Sequence, residues 1–279
     1  MKIELLIPLW YTLKRYTIRH ETSVSRSFVA YLSSMFRDYI WIPIYAIYFL
    51  GGPTLYQIQG IIIHIIAFSV AYEIGYIFTD NISIKKENEN IRKLIYKDPV
   101  PDAIIYFSIL IRFIVLAGIL LLFNAWVTTE IIILYGTVLL IYWVYGNLKE
   151  EYRVPLFLLL RFFKGFVPYA FLILMLSGPT LTLISLLLAA TACFFTIEYA
   201  SRKLDFQYVN IQLMRYVWIR YLIILFFVAP YVYFGHIGFQ KFSMLFTIYV
   251  AIHLIMIISS LVRRVLIGEF SLKYFHKEL

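Results

Sequence analysis

The chain is poor in charge, has a single cysteine, and shows no period-two alternation within its apolar runs. Only 15% of its 279 residues are charged, against roughly 25% in a soluble domain. By contrast 62% are hydrophobic, and the mean hydropathy is +0.82. That balance excludes a water-soluble protein and leaves no room for a separate globular domain beside the apolar segments. Cys193 has no partner cysteine in the chain, so an intrachain disulfide is excluded and says nothing of the compartment. No cleavable signal is expected either: Ile3–Leu13 is short, contains Pro8, and lacks both a preceding basic region and a small-residue cleavage site. The missing period-two alternation argues against a barrel of strands.

What is present is a series of continuous apolar runs. A helix needs about 20 mostly apolar residues to cross the hydrocarbon core. Eight runs qualify, near Phe28–Leu50, Gln57–Thr79, Asp102–Asn124, Val127–Gly146, Val154–Leu176, Pro179–Tyr199, Arg215–Phe234 and Lys241–Val262. The expected fold is all-α, a single multi-span transmembrane bundle over residues 1–279, with 1–27 as a cytoplasmic or interfacial N-terminal segment and 263–279 as a cytoplasmic tail. The connections "GGPTLY", "NAW", "SGPT" and "GHIGF" carry no Lys or Arg, whereas the opposite side holds Lys14, Arg15, Arg19, Lys85, Lys86, Arg92, Lys149, Arg153, Arg202, Arg263 and others. Positive loops stay in the cytoplasm, so both termini are expected there.

Two short stretches carry the acids. "DNISIKKE" (Asp80–Glu87) and "EYASRKLD" (Glu198–Asp205) each place an acid, a serine three residues on, and an acid four residues further; the second set follows the first by 118 residues at every position. Residues at i, i+3 and i+7 share a helical face, so Asp80, Ser83 and Glu87 form one polar stripe and Glu198, Ser201 and Asp205 another. Carboxylates on two helix ends can hold Mg²⁺, which is typically bound through one or two carboxylates plus substrate phosphates. Lys85, Arg92 and Arg202 beside the stripes, and Arg161 and Lys164 inside the fifth run, are candidate ligands for phosphate oxygens.

Other polar residues admit plainer readings. Mixed acids and bases in a loop are commonly a solvated face. Glu73, one heptad before Asp80, extends the first stripe into the bilayer, where an ionisable group is costly unless paired or hydrated, and so ranks as a functional candidate. Arg112 fits a structural or a functional role, and Arg161 also fits a structural charge within the bundle. His64 and His253 are isolated on apolar runs, where a histidine more often hydrogen-bonds within the bundle than binds metal. The 24 Phe and 24 Tyr serve packing and the interface, and an aromatic-lined groove also suits an isoprenoid chain.

With its acid stretches after the second and sixth spans, the chain resembles the UbiA-type intramembrane prenyltransferase superfamily, whose first motif has the form N-D-x-x-D-x-x-x-D. "YIFTDNISIKKENENIR" is similar to that family's segment, with Tyr76, Asp80 and Arg92 in register. Thr79 stands where Asn is usual, Ser83 and Glu87 where Asp is usual; in the second motif Glu198 replaces Asp and Ser201 an acid. The family also commonly shows nine spans. "YGNLKEEYRVPLFLLLRFFKG" further resembles the branch that makes polyprenyl-phosphate phosphoribose, through Tyr145, Lys149, Arg161 and Gly165.

The resemblance implies a UbiA-like fold of eight to nine spans and a Mg²⁺-dependent transferase that acts on a polyprenyl phosphate or diphosphate at the cytoplasmic face of the cell membrane. Asp80, Glu198 and Asp205 would be catalytic; Asp80, Glu87, Glu198 and Asp205 would hold the metal. Tyr76, Lys85, Arg92, Tyr145, Lys149, Arg161, Lys164 and Arg202 would bind substrate. The expected partners are an isoprenoid phosphate and membrane lipid, with no nucleic acid and no evident protein partner. The alternative is a non-catalytic lipid- or partner-binding scaffold derived from the same fold, motivated by the missing middle acids. A small transporter fits less well, since the charges gather on one side rather than near the midplane. The loop charges make a direct prediction: a cysteine placed at Asn90 in a Cys193→Ser background should react with an impermeant thiol reagent only after the cytoplasmic face is opened. Labelling from outside intact cells would invert the orientation.

Overall fold

The computed structural model describes residues 3–20, 39–81, 100–176, 178–203 and 217–233, with five single positions between 243 and 251. Among these residues every regular element is helical: a 3-10 turn at Ile3–Leu6, then α1 (Trp10–His20), α2 (Trp41–Phe49), α3 (Leu55–Asn81), α4 (Asp102–Leu122), α5 (Thr129–Asn147), α6 (Val154–Phe166), α7 (Ala170–Leu174), α8 (Gly178–Lys203) and α9 (Val217–Tyr233). Five stretches are long and apolar enough to cross a membrane: Leu55–Asn81, Asp102–Leu122, Thr129–Asn147, Val154–Leu174 and Gly178–Ile197. They fall on the second to sixth runs expected from the sequence. The first run is described only from residue 39 onward, and the seventh appears as α9, 17 residues with Pro230 inside. Most of the eighth, Lys241–Val262, lies outside the described residues.

The chain divides into two compact units. One comprises Met1–Asp38 and Pro53–Leu172, the other Tyr39–Gly52 and Ile173–Leu279. In the second unit α8 packs on α9. Its buried face comes from Leu183, Ile184, Leu187 and Leu188 of α8 and from Ile224 and Val228 of α9, positions three and four apart that recur on one side of a helix.

The first unit is built around α3. Its start is set by a reciprocal cap: Thr54 Oγ1 accepts from the Gln57 backbone N–H (3.2 Å), and Gln57 Oε1 accepts from the Thr54 N–H (3.0 Å). Two of the N–H groups that a helix start leaves unpaired are thus satisfied. The preceding Gly51 and Gly52 adopt φ of 88° and 115°, a region closed to most side chains. Of the apolar window of α3, 67% is buried, against 22% for α4, so α3 is the central helix and α4 a peripheral one. The exposed side of α4 carries Tyr106, Phe107, Leu110, Phe113, Ile114 and Leu121, a surface suited to lipid rather than water.

Close approach along α3 depends on glycine at two levels. Near its start, a Cβ on Gly60 would lie 2.7 Å from ring atoms of both Phe171 and Trp126. Nearer its end, the ring of Tyr142 from α5 occupies the space a Cβ on Gly75 would need. Between them the buried His64 donates from Nε2 to the Trp126 carbonyl (2.8 Å) and lies with Nδ1 3.3 Å from the Tyr135 hydroxyl, as expected of a histidine bonded within a bundle. Tyr56 and Trp126 stack at 5.2 Å between ring centres and exchange hydrogen bonds with backbone carbonyls, Tyr56 hydroxyl to Ala125 and Trp126 Nε1 to Tyr56. The fifth run is one span in two pieces: Pro168 has no N–H to continue the helical ladder, and a 3-10 turn at Val167–Tyr169 joins α6 to α7.

The Gly75 contact is directly testable. Gly75→Val should force Tyr142 off α3, at a cost of about 1–3 kcal/mol, the usual range for overpacking. Gly118→Ala, where a Cβ meets nothing within 4 Å, should be neutral. Thermal melts of the two variants in the same detergent would separate them, and equal melts would refute the packing described.

Candidate functional site

Two polar centres lie in the first unit, one wholly buried and one at the Asn81 end of α3. In the buried centre Glu73 and Arg112 form an ion pair, Nε to Oε2 at 2.8 Å, with both side chains fully inaccessible. The remaining donors of Arg112 reach Leu5 O (2.8 Å), Ile7 O (2.9 Å), Ser108 O (3.1 Å) and Ser108 Oγ (2.6 Å). The Ser108 hydroxyl in turn donates to Leu5 O (2.7 Å). The Glu73 carboxylate also accepts from Leu9 N (2.5 Å) and Thr12 N (2.9 Å), the open N–H groups at the start of α1. An acid at a helix N-terminus is favoured by its dipole, so Glu73 caps α1 from another helix. Leu9, at φ 68°, gives up a favourable backbone conformation to aim its N–H there.

Glu73 therefore does not extend the Asp80 stripe as a reactive group. It is the counterion of Arg112, and the two together hold the N-terminal segment. Leu5, Tyr11, Ile77, Val100 and Ile105 form an apolar cluster on the same seam.

The second centre is built on Tyr72, Tyr76 and Asp80, four residues apart and so on one face of α3. Asp80 Oδ2 accepts from Arg15 Nε (2.6 Å) and Oδ1 from Arg15 Nη2 (3.5 Å), and the Tyr11 hydroxyl donates to Oδ2 (3.4 Å). Asn81 Nδ2 donates to the Tyr11 hydroxyl (3.0 Å) and to Ile77 O (2.9 Å). The Arg15 guanidinium lies 3.9 Å over the Tyr76 ring. Burial, the largest influence on Arg15, opposes its charge, but the Asp80 carboxylate together with Tyr76 and Tyr11 outweighs it and lifts the Arg15 pKa above the ordinary arginine value.

Tyr72 meets Tyr76 and Tyr142 edge-on, at 4.7 and 5.4 Å between ring centres, and its hydroxyl is within hydrogen-bonding reach of theirs. Lys164, buried on α6, places Nζ 5.7 Å from the Tyr72 ring centre. Arg161, one turn earlier, lies 5.0 Å over Phe157 and close enough to Tyr76 for its charge to act on that phenol. Arg153 is buried, donates to Leu148 O (2.9 Å) and sits 5.4 Å from the Tyr145 ring centre. Lys149 is exposed.

Of the expected site residues, Tyr76 and Asp80 share with Tyr72 one face of α3, Lys164 lies beside the Tyr72 ring, and the charge of Arg161 acts on Tyr76. Tyr145 pairs instead with Arg153. Lys85, Glu87, Arg92 and Asp205 lie outside the described residues, and so do the side chains of Glu198 and Arg202 on α8, in the second unit. Thr79, where the resembling family has Asn, turns its hydroxyl onto its own helix, to Gly75 O (3.0 Å) and Tyr76 O (3.2 Å). The described residues do not by themselves make a Mg²⁺ site: no three of His, Cys, Asp and Glu are grouped to hold a metal. Asp80, the expected ligand whose side chain is described, is bonded by Arg15 and Tyr11.

The sequence reading missed Arg15, Tyr11 and Tyr72. Tyr72 was legible, since Tyr72, Tyr76 and Asp80 repeat every four residues. Arg15 lies 65 residues from Asp80, and no local pattern joins them. Comparisons with protein-family models, with curated proteins and with solved structures return no match.

The buried pair yields a sharp expectation. Glu73→Gln or Arg112→Met leaves one charge buried without its partner and should cost about 3–5 kcal/mol. Arg112→Lys keeps the charge but loses the fork that spans Glu73, Leu5 and Ile7, and should also free the N-terminal segment. Limited proteolysis near residue 20 together with a thermal melt would detect both effects; an Arg112→Lys protein as resistant as the parent would remove the pair from its anchoring role.

Proposed function

We propose that this protein is a multi-span membrane transferase, UbiA-like in fold, acting on a polyprenyl phosphate or diphosphate at the cytoplasmic face of the cell membrane. The reaction is prenyl transfer, or phosphoribosyl transfer to a polyprenyl phosphate. The observation that carries this reading is the placement of Lys164 beside Tyr72, with the charge of Arg161 acting on Tyr76, along the face of α3 that ends in Asp80. Lysine and arginine bind phosphate oxygens as a point charge and as a planar fork, and aromatic walls accept an isoprenoid chain. Holding a reactive phosphate against fixed cations supplies positioning and charge stabilisation together.

In this reading Asp80, Glu87, Glu198 and Asp205 are the proposed Mg²⁺ ligands, and Asp80, Glu198 and Asp205 the proposed catalytic residues. Bound Mg²⁺ would offset the charge of a leaving diphosphate. Lys85, Arg92, Lys149, Tyr145 and Arg202 complete the proposed substrate contacts. The second reading, a non-catalytic lipid-binding scaffold, is favoured by one feature: the Asp80 carboxylate is engaged by an arginine, which needs no metal.

Turnover separates the two. Purified protein in lipid nanodiscs should convert a polyprenyl phosphate with phosphoribosyl diphosphate, or a prenyl diphosphate with an acceptor, only when Mg²⁺ is present. Asp80→Asn should lower that rate on the order of a hundredfold or more with little change in folded yield. Absence of Mg²⁺-dependent turnover with every polyprenyl phosphate or diphosphate offered would leave the scaffold reading.

A further inference from the structure

We infer that Arg15 is a phosphate-binding residue: the N-terminal helix α1 supplies a guanidinium that joins Arg161 and Lys164 in gripping a phosphate monoester headgroup seated over Tyr72 and Tyr76. This rests on the reading of that end of α3 as a site for a phosphate-bearing lipid.

Three observations carry it. Arg15 is the arginine at this centre whose placement is over-determined, since α1 is capped by Glu73 and held by Arg112 at one end, while the Arg15 side chain is fixed by Asp80 and by the Tyr76 ring. A group fixed before the ligand arrives loses little freedom when it binds. Arg15 is also reachable, with 22% of its side chain exposed against none of Arg112. Lastly, Asp80 takes Nε and one terminal nitrogen. The other terminal nitrogen has no partner among the described residues, and a guanidinium can bond a carboxylate along one edge while presenting its remaining N–H groups to a second anion.

The surroundings suit a phosphate. Tyr76, with Arg15 on its face, is also under the charge of Arg161, and Arg15 acts in turn on Tyr142. The phenol hydroxyls of Tyr72, Tyr76 and Tyr142 converge at the same place and can donate to phosphate oxygens. Asp80 then acts here as a positioning residue for Arg15, by orienting its fork.

The test uses the full chain in nanodiscs with a chelator present, so that binding is read without turnover. Farnesyl phosphate, farnesol and inorganic phosphate are the probes. Arg15→Gln should weaken farnesyl phosphate binding about tenfold or more, the usual scale for a lost charge-assisted bond, and leave farnesol binding unchanged. Arg15→Lys, which keeps the charge and lacks the fork, should weaken it less; it also serves if Arg15→Gln fails to fold. Lys14→Gln, on the same helix, should bind as the parent does. Inorganic phosphate bound as tightly as farnesyl phosphate would identify a soluble phosphate as the ligand in place of a lipid headgroup.

Unchanged or tighter farnesyl phosphate binding in the Arg15 variants would overturn the inference, and so would a parent protein that binds none. An Arg15-dependent site in a protein without Mg²⁺-dependent turnover would sink the transferase reading and leave this one standing. Turnover with Arg15-independent binding would do the reverse.

Discussion

The described part of the first unit depends on one buried ion pair. Arg112 and Glu73 are fully inaccessible, and each would be expensive in an apolar interior alone. Their hydrogen bonds leave neither charge isolated: the guanidinium is closed by backbone carbonyls of the N-terminal segment and by Ser108, and the carboxylate by the first N–H groups of α1. The groups that satisfy the pair are the open ends of the backbone in residues 5–12, so satisfying the charges and docking the segment are one event. The α1 side of the Asn81 end inherits that placement, because Tyr11 and Arg15 reach Asn81 and Asp80 from α1.

The second centre shows how one helical face can serve two chemistries. Tyr72 and Tyr76 are apolar enough to pack against Tyr142 and polar enough at their tips to meet cations and anions. Cations approach from two other helices, Arg15 on α1 and Lys164 and Arg161 on α6. Gly75 lets Tyr142 come this close, so a residue without a side chain helps set the width of the aromatic wall. The centre is thus defined by α1, α3, α5 and α6 together.

Much of the helical layout was legible in the sequence because continuous apolar runs have a single structural solution in lipid. The second to sixth runs match spans within a few residues at their ends. The start of α3 was encoded in "TLYQ", a reciprocal cap of Thr54 and Gln57 that starts the helix at Leu55, two residues before the run expected from Gln57. His64 was rightly read as bonded within the bundle. Glu73 was read as a functional candidate unless paired, because position along a helix reveals a stripe but not what faces it; its partner lies 39 residues away on α4. Arg15 was read as a loop charge for the same reason. Long-range charge pairing leaves no periodic trace, so Arg15 was missed; Tyr76 was found through its register with the resembling family's segment, and not through the four-residue spacing that it shares with Tyr72.

The Glu73–Arg112 pair also constrains the order in which the protein is made. The two residues belong to consecutive spans, and either span entering the bilayer alone would carry an uncompensated charge into hydrocarbon. Entering as a helical hairpin, α3 and α4 cancel that charge between them. Residues 5–12 emerge from the ribosome before either span, yet the N–H groups of Leu9 and Thr12 have no partner until Glu73 is made, and the carbonyls of Leu5 and Ile7 none until Ser108 and Arg112, about a hundred residues later. Residues 5–12 are therefore synthesised before α3 and α4 and seated only after both.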